Sequence, residues 1–179
     1  EGSYIIVGGL GDVGFTIAQY ILENFESNIV LVGRSKLPYK KDWENWIKEH
    51  DADNVISKKI GRLRKIGKYK KRVSVLQADS TSFDQMDALF KKVGAKNGSV
   101  NGVFYSVGDI DNVSFNLANT ISPEQLNYHL PMKVKGLAVL KKVVNKNTLD
   151  FAAVMSSFSS VLGGLGMVGY AISNQYVDS

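Results

Sequence analysis

The sequence contains no cysteine, so this chain can hold no disulfide and offers no thiolate nucleophile. Histidine is almost as scarce. His50 and His129 are the only two, far apart and without metal-ligand spacing, so no zinc site is expected. No apolar run reaches 18 residues and no signal peptide opens the chain. The expected location is therefore cytoplasmic, with no membrane partner. Internal repeats and low-complexity linkers are lacking too. What remains is 179 residues, 44% apolar and 22% charged, the composition of one globular domain able to bury a substantial core.

Acidic residues are missing from one stretch altogether. Lys58–Arg72 holds nine basic residues and no acid, and outside it 13 basic residues face 17 acidic ones. The net charge of +5 is thus a local feature, which argues against a general nucleic-acid surface. Two readings of the run stay open. It is a solvated helix face with Ile60, Leu63 and Ile66 as its apolar stripe, or a patch for an acidic partner.

What the chain does have is an early glycine cluster. The apolar run Tyr4–Val7 leads into Gly8-Gly9-Leu10-Gly11-Asp12-Val13-Gly14, and Phe15–Phe25 follows at helical spacing. Strand, glycine turn and helix form the context in which Gly-x-Gly-x-x-Gly binds a dinucleotide. The glycines let backbone approach the pyrophosphate, and the helix N-terminus meets its charge. After a second strand, Ile29–Gly33, stands Arg34-Ser35. An NAD enzyme would have a carboxylate there for the free ribose hydroxyl. A guanidinium suits a phosphate, so NADPH is the expected cofactor, the alternative being a solvated surface arginine.

Strands and helices alternate through the rest of the chain, which predicts an α/β fold, a Rossmann-like doubly wound parallel sheet. Helices are expected over Asp42–Glu49, with Trp43, Trp46 and Ile47 on one core-packing face, and over Ile56–Ile66. Val73–Ala78 reads as the third strand. Ser82 or Asp84 would cap a helix through Val93, Val100–Ser106 is the fourth strand, Pro123–Lys142 a long helical region, and Asp150–Met155 the fifth strand.

The segment Met155–Asp178 brings the chemistry. Ser157 precedes Tyr170 by 13 residues, and Asn174 follows that tyrosine by four. If Tyr170 begins a helix, it shares a face with Asn174, and Ser157 at the end of the fifth strand can point to the same pocket. A phenol and a hydroxyl beside a nucleotide suit protonation of a carbonyl oxygen while hydride arrives at its carbon. This arrangement resembles the short-chain dehydrogenase/reductase superfamily, and within it the ketoreductase domains of modular polyketide synthases. In that superfamily the fourth residue after the tyrosine is usually lysine. Here it is Asn174, and the lysine stands in Pro131-Met132-Lys133-Val134-Lys135-Gly136, 24 residues before Ser157, as in the ketoreductases. Trp43-x-x-Trp46 resembles the branch found in trans-acyltransferase synthases.

The resemblance spans essentially the whole chain and implies a site. Tyr170 would be the general acid, Lys133 would lower its pKa, Ser157 would hold the carbonyl oxygen, and Asn174 would orient Lys133 or a water. The cofactor would lie on Gly8, Gly9, Leu10, Gly11, Gly14, Arg34, Ser35, Asp79, Ser80 and Gly108, with Lys133 and Tyr170 beside it. The substrate would be a keto group, of the β class, on an acyl thioester held by an acyl carrier protein, among other domains of a synthase. The implied fold continues past Ser179 to further strands and a lid, so residues 1–179 are expected to be a C-terminally incomplete catalytic domain, a piece of a larger polypeptide. Asp12 and Tyr105 depart from the family pattern, and Asp12, an acid beside pyrophosphate, must point to solvent or weaken binding. Ile110-Asp111-Asn112 and Leu162 leave both stereochemical fingerprints incomplete, with a lean to type B. Two rivals stand beside this reading: a non-catalytic reductase-like scaffold, and a free-standing dehydrogenase or epimerase.

Overall fold

Ile5, Ile6, Leu31 and Val32 are fully buried neighbours of both parities along their strands, so neither face of the central sheet can be solvent-facing. Strands of that kind pair in parallel beneath helices on both sides. The computed structural model describes residues 2–108 and 119–179. It contains β1 (Ser3–Val7), α1 (Asp12–Asn24), β2 (Asn28–Gly33), α2 (Trp43–Glu49), α3 (Val55–Lys65), β3 (Val73–Gln77), α4 (Phe83–Asn97) and β4 (Gly102–Tyr105). There follow α5 (Pro123–Leu130), a π turn (Pro131–Lys135), α6 (Gly136–Val144), β5 (Phe151–Val154), α7 (Ser159–Leu162) and α8 (Val168–Asp178). The five strands are all parallel in the order β3-β2-β1-β4-β5. The Rossmann-like expectation holds.

Alternation divides the core. Ile5, Val7, Val30, Val32 and Val103 meet Leu89 and Phe90 of α4 and Val139 and Val143 of α6 on one face. Ile6, Ile29 and Leu31 meet Phe15, Ala18 and Leu22 of α1 on the other. Register then lines up the carboxyl ends: Val7 pairs with Val32 and with Tyr105, and Tyr105 with Val154. The strand order reverses between β1 and β4, and the crevice at such a switch point is where ligands bind in open α/β sheets.

Local signals explain most boundaries. The Asn54 side chain caps α3 by accepting from the amides of Ile56 and Ser57. Ser122 and Gln125 form a reciprocal capping box at α5, with Pro123 in its first turn. Ser82 holds the N-cap position of α4 without a side-chain cap bond. The region Pro123–Lys142 is helical throughout, as expected, with a π turn at Pro131–Lys135 in its course. One expectation is corrected. Trp43 and Trp46 are half-buried and outside both core clusters, because α2 buries no residue against the sheet. Trp43 instead donates its indole N–H to Pro38 O at 3.0 Å, and Trp46 stacks on His50 at 3.9 Å.

Candidate active site

The glycine loop is held open by sterics. Gly8 has φ 81°, and a Cβ there would lie 2.6 Å from Ser106 O. At Gly14 a Cβ would meet Gly8 O at 2.5 Å, so the first turn of α1 packs directly on the loop. Gly11 N–H donates to Gly8 O at 2.8 Å. As N-cap of α1, Gly11 brings no side chain to the amides beyond it, which leaves that end suited to an anion.

Asp12 is exposed, as one of its two expected placements requires, and it is also paired. The Arg62 guanidinium bonds both Leu10 O of the loop and the Asp12 carboxylate. Sequence reasoning missed this contact across 50 residues, as it missed Lys59, which donates to Ser35 Oγ at 2.8 Å. The one available signal was their spacing on α3, three apart and hence on one face.

At the end of β2, Arg34 directs its guanidinium to Met132 Sδ at 3.6 Å, and its carbonyl accepts from Gln77 Nε2 at 2.9 Å. A thioether is a weak acceptor, so most of the donor capacity of Arg34 is left for a stronger one. The Asp79 carboxylate accepts from the Thr81 amide and hydroxyl, both at 2.9 Å. Those bonds, with Arg34 and Lys135 nearby, hold its pKa below the usual range. Ser80 is buried behind it. A cleft of about 720 Å³ adjoins this end, lined by Leu10, Gly33, Ser35, Lys59 and Gln77. It lies away from Tyr170.

The second group gathers around the π turn. Lys133 is only 5% exposed, and its Nζ donates to Met155 O at 2.6 Å, two residues before Ser157. Burial lowers its pKa, and the Asp178 carboxylate partly opposes that shift. Gly108 lies beside the lysine stem, since a Cβ there would stand 3.7 Å from Lys133 Cε. α8 packs against α5, α7 and the π turn, which brings half-buried Tyr170 to the same end of the sheet. Ser157 Oγ accepts from the Ser159 amide at 3.2 Å and hydroxyl at 3.0 Å. Asn174 is fully buried. Its Nδ2 donates to Tyr170 O at 2.9 Å, and its Oδ1, the atom that would accept from Lys133, is buried without a partner. That free acceptor could take a water or a turned Lys133.

The basic run fits the solvated-face reading. Ile60 and Ile66 are buried and Leu63 packs against the cluster that holds Ile66, while Lys58 pairs with Asp53 and Arg64 with Glu44. Arg72 caps α1 by donating to Phe25 O at 2.6 Å and Leu22 O at 2.8 Å. Leu162 is exposed on α7, and Ile110-Asp111-Asn112 lies outside the described residues.

Residues 2–179 match the KR domain family. The chain is 32% identical over 181 residues to polyketide synthase PksN of Bacillus subtilis, covering 100% of this chain and 3% of that protein. It is 27% identical over 180 residues to 6-methylsalicylic acid synthase of Penicillium patulum, again 100% of this chain and 10% of that one. It therefore spans a tenth or less of these relatives. A ketoreductase domain from the bacillaene assembly line superposes with TM-score 0.74 at 28% identity, over 99% of this chain and 38% of the other. An N-terminal ketoreductase from the macrolactin assembly line gives TM-score 0.77 at 25% identity, over 99% and 32%. A short-chain dehydrogenase from Streptomyces avermitilis, 15% identical with TM-score 0.75, shares the fold. With its glycine loop, parallel sheet and displaced lysine, the chain belongs to the KR domain family, the ketoreductases of polyketide synthases.

Proposed function

We propose that this domain uses NADPH to reduce a keto group, of the β class, on an acyl chain carried as a thioester by an acyl carrier protein. The observation that carries the reading is Lys133. A buried ammonium that, among the described residues, donates to one backbone carbonyl beside the Ser157 loop costs stability and needs a reason.

The residues fit the cofactor. Gly8, Gly9, Leu10, Gly11 and Gly14 would take the pyrophosphate, with Arg34 and Ser35 at the 2′-phosphate. Asp79 and Ser80 would lie at the adenosine end, and Gly108, Lys133 and Tyr170 at the other. Bound NADPH supplies the hydride. Tyr170 gives its proton to the carbonyl oxygen as general acid. The Lys133 ammonium stabilises the negative charge left behind as that proton moves. The Ser157 hydroxyl donates to the carbonyl oxygen as negative charge grows on it. Asn174 Oδ1 accepts from a water or from Lys133 and helps return the proton.

Residues 1–179 would form the nucleotide-binding and catalytic part of a larger domain. The coverage of the solved ketoreductases supports this, as does an apolar groove of about 550 Å³ between Tyr20 and Phe25 of the α1 end and Phe104 and Phe151 of the sheet. Trp43-x-x-Trp46 supports the trans-acyltransferase branch. A carrier-bound β-keto thioester tests the reading in the full-length protein. NADPH consumption with stoichiometric hydroxyacyl product is expected. Consumption of neither NADPH nor NADH, with every ketone returned intact, would favour the scaffold.

A further inference from the structure

Tyr105 ends β4 and is the bulkiest of the fully buried side chains. The chemistry above does not use its phenol, yet that hydroxyl is firmly placed. It lies 2.6 Å from Met132 O and 3.3 Å from Ser80 Oγ. A phenol has one proton, so the shorter bond takes it, and the Ser80 hydroxyl can return its own. Burial pushes the phenol up to about 12, so it remains a donor across the physiological range.

Met132 directly precedes Lys133 in the π turn. In a regular helix the Gly136 amide would bond Met132 O, four residues back. Here that amide bonds Pro131 O and Lys133 O instead. The Tyr105 hydroxyl stands where the donor from the helix would be. Gly136 makes the approach possible, because any Cβ there would overlap the Tyr105 hydroxyl. A turn of this kind rotates the residues beyond it relative to a regular helix, and single π turns recur at functional sites. Lys133 sits inside this one, reaching Met155 O from a buried position.

We propose that Tyr105 is a positioning residue, whose buried hydroxyl holds the π turn at Met132 and thereby aims Lys133 at the Tyr170 site. The proposal rests on the roles given to Lys133 and Tyr170 above.

Tyr105→Phe in the full-length protein tests it, assayed against pH with NADPH and a small β-keto thioester. Turnover should fall about tenfold or more, since general acid catalysis is commonly worth about 10²–10⁴. The alkaline limb of the pH profile should move, because the Lys133 ammonium is no longer held at the site. A merely structural role would lower the thermal midpoint and leave the limb in place, which overturns the proposal. The pair Tyr105→Phe/Gly136→Ala guards against simple instability. Alanine fills the vacated space and favours helix, so stability should return while turnover stays low. Recovery of turnover in that pair overturns the proposal. A crystal structure of Tyr105→Phe gives a readout independent of catalysis. The Gly136 amide bonded to Met132 O, with Lys133 swung away, supports the proposal even if the wild type reduces no ketone, a result that would sink the functional reading instead. An unchanged π turn and lysine overturn it.

Discussion

Along the carboxyl edge of one sheet the candidate site has a central end and an outer end, and they are made in different ways. β1 and β2 lie at its middle, with Ile5, Ile6, Leu31 and Val32 fully buried, and the glycine loop and Arg34 come directly after them. β5 lies at the edge with Phe151 38% exposed, and the groups near its end arrive from β4, the π turn and α8. The first end presents mostly backbone, shaped by the absence of side chains at Gly8 and Gly14. The second presents side chains, two of them held by contacts distant in sequence, Lys133 to Met155 and Tyr105 to Met132. Binding should therefore be lost through the first end and chemistry through the second.

The largest expected effect breaks the comparison most directly. Tyr170→Phe should lower turnover on a β-keto thioester by about 10²–10⁴ with the NADPH dissociation constant nearly unchanged. Fluorescence titration and steady-state kinetics read both quantities. Retention of more than a tenth of wild-type turnover would move the acid elsewhere.

Arg34→Ala tests the other end. Charge-assisted hydrogen bonds are worth about 1.5–3 kcal/mol, so NADPH should weaken about ten- to a hundredfold while NADH changes little. Equal weakening of the two cofactors in titrations would give Arg34 a structural role.

Lys133→Met separates function from stability at the second end. Catalysis should be lost, yet the fold should be as stable or more so at neutral pH, since a buried ammonium is replaced by an apolar chain of similar size. Burial lowers the pKa of Lys133 in the folded chain. The unfolded chain binds the proton more tightly, so the penalty is full below the folded pKa and fades as pH rises towards the ordinary value near 10.5. The gain in thermal midpoint should thus shrink in alkaline buffer. A variant less stable than wild type at pH 7 would mean that Lys133 holds the fold together.

The smallest effect belongs to the pair over the glycine loop. Arg62→Gln should weaken NADPH only a few-fold, because exposed ion pairs are worth about 0.2–1 kcal/mol. Asp12→Asn should restore most of that loss in the double variant, as the uncovered acid is what would repel pyrophosphate. No recovery would mean that the bond from Arg62 to Leu10 O matters more than charge.

The contrast also explains what could be read in advance. Five strands and the glycine turn were legible because each is written in neighbouring residues, as short apolar runs and as Gly8 through Gly14. Boundaries shifted by a few residues, α1 beginning at Asp12 because Gly11 can serve as N-cap. The displaced lysine was legible only through the resemblance, since nothing between Pro123 and Lys142 marks a π turn. The tryptophans misled because spacing tells which residues share a helix face but not what that face meets.

By itself, then, the sequence determined the alternation of strand and helix, the open glycine backbone, an arginine where an acid would exclude phosphate, and the spacing of Ser157, Tyr170 and Asn174. Those are local properties, decided by sterics and hydrogen bonding over a few residues. Tertiary structure alone decided that Arg62 covers Asp12, that Asn174 bonds Tyr170 O and leaves Oδ1 free, and that the Tyr105 hydroxyl meets Met132 O at the turn holding Lys133. The Arg62 and Tyr105 contacts join residues tens of positions apart, and only packing fixes which donor meets which acceptor, or which acceptor is left without one, once the core has closed.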